Sequence, residues 1–232
     1  MPIIIQLCLE TIKKYNPNTV IADSKMVVKL GGKRILKATR QSPKVPHHKF
    51  AQIRGDLVRY WLLKTYGGVW LDADYICFRP INLLNCLEEP GVDLVTRLNE
   101  HRRKADSNVI ASFSEGQVIT SIFNTSIKLC RKKVLGSAQV RSFSHICSSR
   151  KFKNMVKVLP AKEYSLPRMR LGRPKPMRVR RSDIEHECCG DWTYPVGIHL
   201  GNVCVKKYSG WSRERLMSGR LFLSFLFRKA LL

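Results

Sequence analysis

The sequence predicts an α/β fold: a mixed, largely parallel sheet flanked by helices. Three observations predict it. Apolar residues recur at three-to-four spacing over Lys49–Tyr66 and Glu115–Lys133, the rhythm of helices that turn one side to a core. Short β-branched stretches, Val92–Thr96, Val109–Phe113, Val156–Leu159 and Val196–Leu200, are too brief for helices and suit strands. The two kinds of segment alternate along the chain, the order in which crossover connections build parallel pairs.

Taken in order, Cys8–Tyr15 has the spacing of a short helix that Asn16-Pro17 ends, and Thr19–Ala22 reads as a strand. Lys49–Tyr66 is the clearest helix, with Ile53, Leu57, Trp61 and Leu62 on its apolar side and Gly67-Gly68 as a left-handed stop. Val69–Tyr75 follows as a strand, and Pro80–Leu87 as a helix with proline in its first turn. After strands at 92–96 and 109–113, the helix 115–133 turns Val118, Ile119, Ile122 and Ile127 inward and ends on the cations 131–133. Strands at 156–159 and 196–200 complete the set. The terminal segment 214–232 holds Leu221–Phe227 between Arg220 and Arg228-Lys229. Such an amphipathic helix either packs on the core or lies on an anionic membrane surface.

At 232 residues and 44% hydrophobic, the chain has the length and apolar content of one globular domain, residues 1–232, with a real core. It carries 42 Lys+Arg against 17 Asp+Glu, a formal net charge of +25. The excess is uneven, because 151–181 holds 11 cations and one acid. Within it Arg168–Arg181 is broken by Pro174 and Pro176, so a basic mobile loop is expected over about 165–182. It suits an anion: a diphosphate, an acidic glycan, a lipid surface or nucleic acid. The stretch has no Phe, Tyr or Trp on which a base could stack, which argues against nucleic acid as the partner.

Eight cysteines show no C-x-x-C spacing, which argues against a zinc ribbon or a thioredoxin-like site, and they read as mostly reduced core thiols. The longest apolar runs fall short of the ~20 residues of a spanning helix. The amino terminus lacks the basic region and cleavage site of a secretory leader. The expected location is cytoplasmic, with attachment to a membrane surface as the alternative.

The chemistry concentrates in residues 52–80, QIRGDLVRYWLLKTYGGVWLDADYICFRP. Asp56 and Arg59 stand three apart and share a helix face. Where the bulky run Val69-Trp70-Leu71 ends, Asp72 and Asp74 follow with Ala73 between them. In extended chain both carboxylates project to one side and converge on one cation. Carboxylate oxygens suit a hard divalent ion, Mg²⁺ or Mn²⁺, that keeps positions open for phosphate oxygens. At the carboxyl end of a strand such an ion would hold a nucleotide diphosphate and neutralise the charge that builds as it departs. His199, alone in the apolar strand VGIHL, is either a hydrogen-bonded core residue or a contact to metal or diphosphate.

The pattern D-x-x-R-x-x-x-L-x-x-x-G-G-x-W-x-D-x-D, met by Asp56, Arg59, Leu63, Gly67, Gly68, Trp70, Asp72 and Asp74, closely resembles the sugar-binding region of glycosyltransferase family 32 and the capsular polysaccharide synthesis proteins. The clostridial glucosylating toxins are more distantly similar. CLETIKKYNP (8–17) resembles the family's first helix, Asn108 with Val109-Ile110-Ala111 its asparagine-led strand, and His199 followed by Trp211 its late His-and-Trp segment. The resemblance implies a GT-A fold, a nucleotide-sugar donor, Mn²⁺ or Mg²⁺ dependence, and transfer of a hexose from a UDP- or GDP-sugar, with retention, to a glycan or lipid-linked glycan acceptor. It implies that Asp56, Arg59, Trp70, Gly68 and Asn108 bind the donor. Asp72 and Asp74 would serve as the catalytic pair that reaches metal and ribose, and His199 would join them at the metal. Two departures stand out. Gly55 replaces a Ser or Ala, and Met1–Gln6 leads at once into a helix where family members carry a base-embracing I-P-K-x-I-H-Q-x-W-like segment, so a shortened base loop is expected. Two other classes compete: a basic nucleic-acid-binding protein, and a catalytically inactive scaffold of the same fold.

Overall fold

The structure, a computed structural model, describes residues 1–38, 47–99, 104–131, 137–160, 196–218 and 222–232. The chain forms two compact units. The first comprises Met1–Thr19, Asp72–Ile81 and Pro160–Leu232; the second comprises Val20–Leu71 and Asn82–Leu159.

The second unit is built on a four-stranded sheet. Its strands are β1 (Gly68–Leu71), β3 (Leu94–Asn99), β4 (Lys104–Ser112) and β5 (Val156–Leu159), in the order β1-β4-β3-β5. β1 and β3 both run antiparallel to β4, while β3 and β5 are parallel with Leu94 opposite Val156. The α/β class with a mixed, helix-flanked sheet is as expected, but the parallel share is smaller than the expected majority. Only residues 100–103 separate β3 from β4, too few for a crossover, so that pair must be antiparallel. β5 is reached through α5 (Gln117–Arg131) and α6 (Ser137–Ser148) and returns parallel. These helices and α4 (His47–Tyr66) bury Tyr60, Leu63, Ile119, Ile122 and Phe143 against Leu94 and Ile110 of the sheet. Tyr60 stacks on Phe143 with ring centroids 5.9 Å apart, and burial holds its phenol far above the usual range. Two short helices, α2 (Ser24–Lys29) and α3 (Lys33–Ala38), pack Val27 and Leu36 onto Val58 of α4.

The first unit gathers three separated stretches around one apolar cluster. α1 (Ile3–Tyr15) supplies Ile4, Leu7 and Cys8, and the antiparallel pair β2 (Tyr75–Cys77) and β6 (Gly197–His199) supplies Ile76 and Ile198. The carboxyl-terminal helices are α7 (Gly201–Tyr208), α8 (Arg213–Ser218) and α9 (Phe222–Leu231). α9 turns Leu223, Leu226, Phe227 and Ala230 into this cluster, so of the two alternatives for the terminal segment its apolar side packs on the core. Polar bonds tie α1 to the central stretch. The Thr11 hydroxyl accepts from Cys77 N–H at 3.0 Å, and Asn16 Oδ1 accepts from Ile81 N–H at 3.0 Å. Among the described residues no helix is long and apolar enough to cross a membrane.

Several local expectations change. The first helix starts at Ile3, directly after Pro2, rather than at Cys8. Thr19–Ala22 is not a strand: among the described residues it has no strand partner, Val20 and Ile21 are 64% and 42% exposed, and it leads into Asp23, the cap of α2. Pro80–Leu87 contracts to a single 3-10 turn, Leu84–Cys86. The strand expected over Val69–Tyr75 is interrupted at Asp72–Asp74 and resumes as β2. The basic stretch 165–182 lies outside the described residues.

Among the described residues Cys77, Cys86 and Cys147 are free thiols. Burial pushes Cys77 and Cys147 up to about 12, so at pH 8 only about one in 10⁴ of either is thiolate, the reactive form. Iodoacetamide at pH 8 is therefore expected to leave Cys77 and Cys147 unmodified in native protein and to alkylate both in urea, read by peptide mass spectrometry. Labelling of Cys77 in native protein at the rate seen in urea would contradict the packing of β2.

Candidate metal centre and donor-side residues

The local fold explains how the two aspartates meet a histidine far along the chain. Helix α4 ends with Gly67 N–H on Leu63 O at 2.9 Å. Gly67 (φ +66°) and Gly68 (φ +88°) then reverse the chain in the left-handed region. A Cβ on Gly67 would also stand 2.6 Å from the backbone nitrogen of Ser114, so glycine is required there twice over. β1 runs from Gly68 to Leu71 along β4, and the chain enters the first unit at Asp72. Ala73-Asp74 form a turn before β2 begins at Tyr75. The two carboxylates therefore converge through a turn and not, as expected, by alternation along one extended strand.

What they converge on is His199. Its Nε2 lies 3.1 Å from Asp74 Oδ1 and 3.8 Å from Asp72 Oδ2. One ligand atom from each of the three residues fits within 4.8 Å of the others. Their side chains are 15–21% exposed, sheltered from bulk water yet open to a ligand. Register places the imidazole: His199 pairs with Tyr75 across β2–β6, and Leu200 N–H donates to Asp74 O at 2.9 Å. The register itself needs Gly197, where a Cβ would stand 2.2 Å from the Tyr75 ring and 2.6 Å from Ile76 O. Two carboxylate oxygens and one imidazole nitrogen form a donor set that a divalent cation accepts. The group fits a metal.

The other expected site residues lie in the second unit. Asp56 and Arg59 on α4 are 5% and 7% exposed, with Arg59 Nη1 3.7 Å from Asp56 Oδ1. The same Nη1 donates to the carbonyl of Ser107 in β4, and the guanidinium stands 5.3 Å from the ring centre of Trp70 in β1. Asp56 and Arg59 are thus no solvated ion pair on a helix surface; they clamp α4 to two strands. Gly68 opens β1 opposite Ser112 of β4. Asn108, one residue past Ser107, donates its Nδ2 to Asp106 Oδ2 at 3.3 Å. That same oxygen accepts from Arg97 Nη2 at 3.0 Å and Asn99 Nδ2 at 2.9 Å. Sequence reasoning missed this carboxylate. The available signal was position: Asp106 and Asn108 are two apart on a strand and so share a face.

Residues 5–89 match the family described as "Glycosyltransferase sugar-binding region containing DXD motif". The matched stretch holds Asp56, Arg59, Gly68, Trp70, Asp72 and Asp74, whereas Asn108 and His199 fall beyond it. No curated protein matches the chain. Residues 5–89 thus resemble a DXD-containing glycosyltransferase sugar-binding region, and the match supports a transferase enzyme.

Proposed function

We propose that the chain is a retaining, divalent-metal-dependent hexosyltransferase that takes its sugar from a UDP- or GDP-sugar and passes it to a glycan or lipid-linked glycan. The observation that carries this reading is the meeting of Asp72 and Asp74, inside the stretch that matches a sugar-binding region, with His199. These three residues would hold Mn²⁺ or Mg²⁺, and the imidazole tilts the set toward Mn²⁺, the softer of the two. Bound there, the ion supplies positive charge to the oxygens of a departing diphosphate.

The protein's own part is to bind and orient. Asp56 accepts from donor-sugar hydroxyls, and Arg59, buried beside it, holds that carboxylate in place. Trp70 presents a flat wall held by the guanidinium at its face. Asn108, its amide nitrogen held by Asp106, offers its carbonyl oxygen to the donor. A displacement in which acceptor and leaving group use the same face of the sugar asks mainly for this positioning.

A thermal-shift screen of UDP- and GDP-hexoses, each with Mn²⁺, with Mg²⁺ and with chelator, tests the reading. One nucleotide sugar is expected to raise the melting midpoint by several degrees with Mn²⁺ and by much less with chelator, because a ligand that binds only the native state stabilises it. No shift with any donor and metal would overturn it. A shift without donor hydrolysis or transfer would mark an inactive scaffold instead.

A further inference from the structure

The outward side of α2 and α3 belongs to neither constellation described above. Val27 and Leu36 press inward on Val58, and Ile35 and Trp61 close around them. That packing fixes what faces out. Lys25, Val28 and Lys29 of α2 and Lys33, Arg34 and Lys37 of α3 are all exposed, at the spacings that share a helix side. Val28 is 47% exposed, and Val20 and Ile21, just ahead of α2, are 64% and 42% exposed. Between Val20 and Lys37 there is one acid, Asp23, and its carboxylate caps α2 by accepting from Met26 N–H at 2.7 Å.

Exposed aliphatic side chains scattered singly are ordinary on protein surfaces. Three of them set among five cations in eighteen residues make a different surface. Cations meet lipid phosphates while short aliphatic chains enter the boundary between headgroups and acyl chains. Nucleic acid would use the same cations but takes aromatic side chains for stacking, and 20–38 contains none. We propose that the α2–α3 face docks this protein onto an anionic phospholipid bilayer. The apolar side of α9 is occupied by the first unit's core and takes no part. On the glycosyltransferase reading, docking places the enzyme where a lipid-linked acceptor is held, but the docking itself does not depend on that reading.

Co-sedimentation of the full chain with vesicles decides the matter. Vesicles of phosphatidylcholine alone are compared with vesicles in which a quarter of the lipid is phosphatidylserine. The protein is expected to bind the anionic vesicles and not the neutral ones. Each cation near such a surface is worth about fivefold in partition, so Lys25→Glu/Lys29→Glu/Lys33→Glu should lower binding ~100-fold. The control Lys153→Glu/Lys206→Glu/Lys207→Glu makes the same charge change at exposed positions elsewhere and should lower it less than ~3-fold. Val20→Ser/Val28→Ser should lower binding several-fold and keep that effect at high salt. If a triple variant loses its far-UV helix signal, the single changes Lys25→Glu and Lys29→Glu replace it, each expected to cost about fivefold. Equal losses from the two triple variants would overturn the proposal, since net charge alone would then explain binding. So would indifference to phosphatidylserine. Unchanged vesicle binding in the serine variant, together with salt-sensitive binding of DNA that the α2–α3 charge reversal abolishes, would assign the face to nucleic acid.

Discussion

Asp74→Asn is expected to lower Mn²⁺-supported donor hydrolysis by about 100-fold or more while leaving the melting temperature within a few degrees of wild type. The change preserves size, and the backbone carbonyl that accepts from Leu200 N–H is untouched, so β2 and β6 keep their register. What disappears is one negative charge beside His199 Nε2, 3.1 Å away. A neutral amide oxygen is a weak partner for a divalent ion, and the diphosphate loses the counter-charge that the ion would bring. Calorimetric titration with Mn²⁺ separates the causes, since the variant should show weakened metal binding alongside lost turnover. Unchanged turnover would remove the metal-centred reading altogether.

Asp56→Ala is expected to lower the melting temperature by roughly 6–12 °C. Arg59 is 7% exposed, and withdrawing a carboxylate from a buried guanidinium costs about 3 kcal/mol; in a protein of this size each kcal/mol moves the midpoint by about 2–4 °C. Asp56→Asn keeps the shape and one acceptor oxygen but not the charge, so it should lose less stability than Asp56→Ala and report on donor binding as a raised KM. Combining Asp56→Asn with Arg59→Met should recover stability relative to Asp56→Ala, because no charge is then left in the protein interior. An Asp56→Ala variant that melts with wild type would reassign the pair to an exposed surface contact worth under ~1 kcal/mol.

Much of this was legible in the chain itself, and the reasons are local. Helix α4 and its Gly67-Gly68 stop could be read because periodicity and left-handed glycines act within a few residues of themselves. β5 was read residue for residue for the same reason: a short β-branched run has few other uses. Strand direction was less legible, because it depends on what lies between strands and not on the strands' own composition. The aspartates were found, but the turn that joins them to His199 was not, since it is set by β6, which arrives from far along the sequence. His199 could be offered only as one of two alternatives until its partner Tyr75 was known. Asp106 was missed for a related reason. A carboxylate earns its place there through Arg97 and Asn99 on a neighbouring strand, and no single-strand pattern records a cross-strand donor.

The Asp72–Asp74–His199 group joins two stretches far apart in sequence, 72–74 and 199, and the first unit is itself assembled from three distant stretches. An unfolded chain cannot present such a set, because closing that long a loop costs more entropy than a weak ion returns. An ion bound there would link coordination to folding, and a chelator would then act on the first unit as a gentle denaturant, loosening the amino- and carboxyl-terminal helices together.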